Sequence, residues 1–290
     1  MKLYAPKYYK DFKCTADKCS HSCCIGWEID IDDNTYDMYK NLKSGYGLDI
    51  LYSINNIEGF PHFKLSENDR CPHLDEHGLC KIITNLGEGY LCEICREHPR
   101  FYNDTPRGKE VGLGMACEEA CRIILSSDSY DEFYVLEDLD LEADQFEFDP
   151  LPLRAKIFET LKQDTSFDKK LSLICNEFNV SINENVKNVF SQLEYLDPQH
   201  KELFLSCDFS KANVKKENTF ERALAYFVYR HCTQAYDEDD FRACLGFSIF
   251  CVQLLRCLSN SDNVELIARI ISEELEYSEE NTEAIKENIL

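Results

Sequence analysis

The chain has 290 residues with 31 Lys and Arg against 54 Asp and Glu, a formal charge of -23 that excludes a broad electrostatic grip on nucleic acid. Hydrophobic residues make up 44%, enough for one large domain or two ordinary ones. The 16 cysteines follow an N-terminal run, MKLYAPKYYKDFKC, that has no apolar signal region. They therefore argue against a small secreted disulfide scaffold and for reduced thiols in the cytoplasm.

Turn residues punctuate the first part of the chain. Gly45, Gly47, Gly59, Pro61, Gly78, Gly87, Gly89, Pro99, Pro106 and Gly108 leave room only for short elements, as expected where ligands organise the chain. A helix is predicted over Ile31 to Lys43, with Asp32 or Asp33 as N-cap. Short strands are predicted over His62 to Leu65 and Leu79 to Ile82, flanking a turn at Asp75 to Gly78, and a second helix over Cys117 to Leu125. Residues 128–150 mix acid with scattered aromatics and lack a helical period, so they read as an acidic connector with a short strand.

From 151 onward the apolar period is helical. Stripes run through Leu153, Ile157, Phe158 and Leu161, then Leu171, Ile174, Cys175 and Phe178, then Val186, Val189, Phe190 and Leu193. A stronger helix is predicted after Thr219 as N-cap, through Phe220, Leu224, Phe227, Val228 and His231. Another spans Phe241 to Leu258 after the acidic turn DEDD and is apolar around most of its circumference, which marks the centre of a bundle. Its apolar core, Ala243 to Leu255, is too short to span a bilayer, so no transmembrane segment is expected. A last helix, Val264 to Tyr277, closes the set. The expected fold is mainly α. A metal-tied, cysteine-rich domain with short helices and a little β occupies 1–127, the acidic connector 128–150, and an all-α helical region 151–290.

Ten of the cysteines lie between Cys14 and Cys121, and eight of these form two groups. The first is Cys14, Cys19, Cys23 and Cys24. The second is Cys71, Cys80, Cys92 and Cys95, in the contexts CPHL, CKI and CEICREHPR. Thiolates gathered at one point repel one another, so a fold that gathers them does so around a soft cation or an iron–sulfur cluster. Only Cys92-x2-Cys95 has the form of a zinc knuckle, and the irregular spacing of the others suits zinc and iron–sulfur equally. The later cysteines, at 175, 207, 232, 244, 251 and 257, have no paired spacing and read as small core hydrophobes. His231 reads as a capping or core residue at a helix end, where a cationic imidazole complements the dipole.

The runs YKDFKCTADKCSHSCCIGWEIDIDDNTYDMY, CPHLDEHGLCKIITNLGEGYLCEICREHPR, GLGMACEEACRIIL and FERALAYFVYRHC resemble successive motifs of the flagellin lysine-N-methylase family. The central pieces are also similar to zinc- or iron-chelating cysteine-cluster domains. The resemblance implies S-adenosylmethionine-dependent methyl transfer to lysines of flagellin, with a 4Fe-4S cluster, or zinc as the alternative metal. It nominates Cys14, Cys19, Cys23, Cys24, Cys71, Cys80, Cys92, Cys95 and Cys117 as metal ligands. His98 stands where that family usually has an aromatic residue.

The residues by themselves argue the metal more strongly than the methyl transfer. No strand–glycine-rich turn–helix unit of a nucleotide-binding fold is visible, and the lone Gly112-Leu113-Gly114 is explained by a tight turn. Cys19-x3-Cys23 begins the C-x3-C-x2-C spacing of radical S-adenosylmethionine clusters, but Gly26 stands where the third thiol belongs. Lysine methylation also needs an uncharged amine, and Tyr36 and Tyr39 could offer it ring faces and phenols, although packing explains them as well. Two readings therefore stand: a cluster-dependent methyltransferase, and a non-catalytic zinc- or iron-binding module.

Overall fold

The computed structural model describes all residues except 44, 58, 141–144, 182–183, 212–215 and 290. It is mainly α, with six strands among the described residues: β1 (Lys2–Pro6), β2 (Ile54–Ile57), β3 (Phe60–Phe63), β4 (Arg100–Thr105), β5 (Gly108–Leu113) and β6 (Phe133–Asp138). The chain divides into two compact units. One comprises Met1–Phe12 and Pro99–Leu290, the other Lys13–His98.

These units do not coincide with the expected boundaries at 127 and 150, and the reason is strand pairing. In the larger unit β1 pairs in parallel with β5 and antiparallel with β6, giving a sheet of order β4-β5-β1-β6. The first residues and the strand within the connector thus belong to one sheet, while the cysteine-rich segment is inserted between β1 and β4. β4 and β5 form a hairpin through Pro106 and Arg107, where Pro presets the turn. Gly108 then takes φ +137 with the carbonyl of Lys2 where a Cβ would sit, so only glycine fits.

The helical region belongs to this same unit and is not a separate domain. Helices run over Leu151–Leu161, Phe167–Phe178, Pro198–Leu205, Glu217–His231, Glu238–Leu258, Val264–Ile271 and Glu279–Ile289. The third expected stripe is a 3-10 segment, Glu184–Ser191. In it Val189 and Phe190 are buried, while the side chain of Val186 lies outside the described residues.

Glu238–Leu258 is the centre expected from its all-round apolar character. Phe241, Leu245, Phe247, Phe250, Cys251, Leu254 and Leu255 are buried on all its faces, against Glu217–His231, Val264–Ile271, Glu279–Ile289 and Pro198–Leu205. Each such side chain contributes about 1.5–3 kcal/mol on burial. It is the one described helix long and apolar enough to cross a membrane, and its apolar surface is spent inside the protein. It begins inside the acidic turn, with Asp237 accepting from the Asp240 amide. Glu217–His231 likewise starts two residues before the expected cap Thr219. The helix expected over Val264 to Tyr277 is α over Val264–Ile271 and π over Ser272–Glu276, and it does not close the set, since Glu279–Ile289 follows.

Cys232, Cys244 and Cys251 are core residues as expected, and Cys175 is half-buried. Cys207 and Cys257 depart from that pattern. Their Cα atoms are 5.9 Å apart and they pair as a disulfide.

The smaller unit is built from short pieces: helices Asp33–Lys40, Tyr46–Ser53, Lys81–Leu86 and Glu93–Glu97, and the β2–β3 hairpin. Asp32 is the N-cap of the first, its Oδ1 accepting from Thr35 N at 3.0 Å. The strand expected over Leu79 to Ile82 is a single bridge, Leu74 with Cys80, after which the chain turns into helix at Lys81.

Candidate functional site

Three connections in the smaller unit, one of backbone and two through carboxylates, bring the distant cysteines together. Cys71 N donates to Cys24 O at 2.9 Å, flanked by a bridge between Ile25 and Arg70 and by Gly26 N on Asp69 O at 3.0 Å. Gly26 makes this approach at φ +85. The Asp75 carboxylate then accepts from His77 N (2.9 Å) and Leu79 N (2.8 Å), an Asx turn that folds Cys80 back onto Leu74. Finally, Asp32 Oδ2 accepts from Glu93 N at 2.8 Å. One carboxylate thereby caps two helices and fixes Cys92 and Cys95 on the first turn of the second.

The sulfurs feel one another. The sulfurs of Cys92 and Cys95 lie 3.4 Å apart, and their hydrogen bond lowers the pKa of Cys92 and raises that of Cys95. Burial pushes the Cys71 thiol up to about 12, and the charges of Cys24, Cys80 and Cys92 add to the rise. Cys80 is raised by burial and then by Cys24 and Cys92. Cys24 moves the other way, to about 7, chiefly through its hydrogen bond with Cys23. Cys24, Cys71, Cys80, Cys92 and Cys95 therefore form one electrostatic group, although they come from both sequence clusters. Among the described residues, no three His, Cys, Asp or Glu side chains are closed to metal-ligand geometry.

The other nominated ligands are placed differently. Cys14 is exposed, and Cys19 is half-buried with Thr15 Oγ1 3.0 Å from its sulfur. Cys23 reaches the group through its bond to Cys24. Cys117 belongs to the larger unit, where it precedes helix Glu118–Ser126 as its N-cap. His73, buried in the CPHL segment, is spent on structure: Nδ1 meets Tyr46 Oη at 2.6 Å and Nε2 meets Ser53 Oγ at 2.8 Å. Burial lowers its pKa to about 4, so the imidazole is neutral. Tyr39 is core, fully buried and donating to Tyr90 O at 2.6 Å, and Tyr36 carries Lys40 Nζ over its ring at 4.6 Å.

Beside the thiol group along the chain lies a cavity of about 480 Å3. Its lining includes Gly26, Trp27, Glu28, His62, Lys64 and Asp69.

The larger unit holds a polar cluster that sequence reasoning touched only at His231. His231 Nε2 is 2.7 Å from Glu276 Oε1, Tyr226 Oη donates to Glu276 Oε2 at 3.0 Å, and Arg230 Nη1 donates to Tyr226 Oη at 3.0 Å. Arg230 lies between the rings of Phe101 (5.1 Å) and Tyr277 (4.6 Å). A Cβ on Gly114 would occupy the place of the Tyr277 hydroxyl and the Arg230 guanidinium, so the close approach requires glycine. Burial holds His231 below its ordinary pKa despite Glu276, so it is not the cationic helix-end residue expected. Glu276 is held below its ordinary pKa, the Arg230 charge and the hydrogen bond with His231 outweighing its burial. The signal for this cluster was the YRHC run itself; its carboxylate partner lies 45 residues further on.

No protein-family model matches the chain, and no solved structure matches it. Among curated proteins it is 30% identical over 128 residues to the lysine-N-methylases of Salmonella choleraesuis and Salmonella typhimurium. The resemblance to lysine-N-methylases holds. That match covers 42% of this chain and 32% of each of those proteins, so the chain spans about a third of the length of the lysine-N-methylases it matches. It is also 29% identical over 127 residues to the flagellar biosynthetic protein FliU of Salmonella muenchen, covering 42% of this chain and 75% of that protein.

Proposed function

We propose that this protein is a cytoplasmic S-adenosylmethionine-dependent lysine N-methyltransferase acting on flagellin, with a 4Fe-4S cluster held by thiols of the smaller unit. The observation that carries this reading is the similarity to proteins named lysine-N-methylase and to a flagellar biosynthetic protein. The donor set fits the cluster in chemistry. Cys24, Cys71, Cys80, Cys92 and Cys95 supply only soft sulfur, one thiol more than the four a cubane takes, while both nitrogens of His73 are occupied.

When bound through only three of these thiols, such a cluster would leave one iron open to hold the methionine moiety. This chain's residues would do the rest. The cavity lined by Trp27 is the proposed place of S-adenosylmethionine, with Glu28 and Asp69 in its lining as acceptors for ribose hydroxyls. Trp27 is the one tryptophan of the chain, so quenching of its fluorescence by S-adenosylhomocysteine reads this site directly.

The deciding experiment is anaerobic reconstitution with iron and sulfide, followed by S-adenosylmethionine and flagellin. Mass spectrometry is expected to find methylated lysines, and Cys71→Ser or air is expected to abolish them. Unmodified flagellin with fully iron-loaded protein would overturn the reading. A non-catalytic zinc- or iron-binding module is the second reading, favoured by the match covering 32% of the lysine-N-methylases. It requires bound metal, zinc included, without methyl transfer.

A further inference from the structure

The larger unit has a cavity of its own, of about 360 Å3. It is walled by β4, by the segment leading into helix Leu151–Leu161, and by the turn between helices Glu217–His231 and Glu238–Leu258. This volume lies near the lower end of ligand pockets, which run from about 300 to 1,000 Å3, and suits a single side chain. We propose that this cavity binds the alkylammonium side chain of a lysine, methylated or not, presented by a partner protein.

Three features of the lining select that chemistry. The first is aromatic. Phe146, Phe148 and Tyr236 line the cavity, and Tyr236 is 73% and Phe146 39% exposed. Ring faces left open to water attract cations, quaternary ammonium above all, and also accept the methylene stem beneath the charge.

The second feature is charge. Asp104 and Glu147 line the cavity, and among the described residues no Lys, Arg or His does. Asp104 is shared with Lys109 at 3.3 Å, whereas Glu147 is exposed and has no ion-pair or hydrogen-bond partner among the described residues. Behind the wall Arg154 bonds Thr233 Oγ1 and is already neutralised by the Glu110 carboxylate at 2.7 and 3.0 Å. The turn beyond Tyr236 adds exposed Asp237, Glu238 and Asp239.

The third feature is hydrogen-bonding sense. Gln234 uses its amide nitrogen on Tyr102 O (3.2 Å) and Asn103 Oδ1 (2.5 Å), leaving its carbonyl oxygen as the group it can offer a ligand. An ammonium brings three donors and no acceptor, and the Asp104 and Glu147 carboxylates and this carbonyl are acceptors for it.

The proposal stands on the larger unit alone and survives if no methyl transfer occurs. The test is saturation-transfer NMR on the full chain with Nα-acetyl-lysine methylamide, its Nζ-trimethyl form, and the capped norleucine analogue. Saturation is expected on the side-chain methylenes of the two cations and not on norleucine. Glu147→Gln and Tyr236→Ala are each expected to weaken binding about two- to fivefold without lowering the melting temperature, because both side chains are exposed. Norleucine binding as well as the cations, or both variants binding like the parent, would overturn the site. A short peptide with one central lysine is expected to compete better than a free alkyl diamine. The reverse order would overturn the assignment to a partner protein.

Discussion

The two units are held together by different physics. The larger unit has a continuous apolar interior in which Phe220, Phe227, Phe241, Phe247 and Phe250 are almost wholly buried around one long helix. The core of the smaller unit is a modest set, Ile29, Ile31, Tyr39, Ile50, Phe63, Leu74 and Ile82. It is completed by Cys71 and Cys92, with Cys24, Cys80 and Cys95 packed against it. Its thiols therefore occupy the place where a self-sufficient domain keeps aliphatic side chains. One unit is built on a large apolar interior, while the other fills part of a small core with thiols.

The most drastic way to break the contrast is to load the protein with iron and then strip the metal. Amide exchange over Lys13–His98 is expected to lose its protection, while Glu217–His231 and Glu238–Leu258 keep theirs, because metal binding is part of the folding free energy of a ligand-tied unit. Equal protection of the smaller unit in both states would remove the distinction.

The converse perturbation is Glu110→Ala. Glu110 is completely buried and pairs with buried Arg154, as well as with Arg107 at 2.6 Å. Removing the carboxylate strands Arg154, which is expected to cost about 3–5 kcal/mol. Calorimetry should show this in the larger unit's transition, with metal content unchanged.

A weaker probe is Asp32→Ala. The change removes caps from both Asp33–Lys40 and Glu93–Glu97, expected to cost about 1–2 kcal/mol. It should also loosen metal retention, since Cys92 and Cys95 ride on the second helix. Unaltered metal affinity would show that the cap does not position the thiols.

The mildest test uses acid. His231 has a folded pKa below its ordinary 6.5, so the unfolded chain takes up its proton first; the contribution of His231 is complete above 6.5 and is lost as pH falls below it. Glu276, depressed below 4.5, adds a second loss at lower pH. The larger unit should thus soften in two steps on acidification, and His231→Gln should remove the upper one. A profile unchanged by that substitution would count against the dyad.

What could be read from the sequence was what is local. The cap at Asp32, the helical stripes after 151 and the central helix follow from neighbours within a turn or two. Leu79 to Ile82 was misread because a few alternating residues look like a strand whether or not a partner exists, and here the partner is one bridge at Leu74. The pairing of β1 with β5 and β6 had no local signal at all, since its partners lie more than a hundred residues away. The same limit explains the site. Residue type and spacing pointed to thiol ligation, but the grouping of Cys24 with Cys71 rests on a backbone hydrogen bond across an intervening helix pair and hairpin. The partner of His231 was equally remote.

The placement of the cysteine-rich segment between β1 and β4 sets an order of manufacture. As the chain leaves the ribosome, β1 emerges first but has no strand to join until β5 follows, and the whole of Lys13–His98 is made in the interval. Thiols proposed to hold a metal are therefore exposed to it before the sheet of the larger unit can close. A failed insert delays its host, because the segment whose ends must meet is then a long floppy loop rather than a compact plug. Metal supply during synthesis, and not only afterwards, would then govern how much of the entire protein reaches its native form.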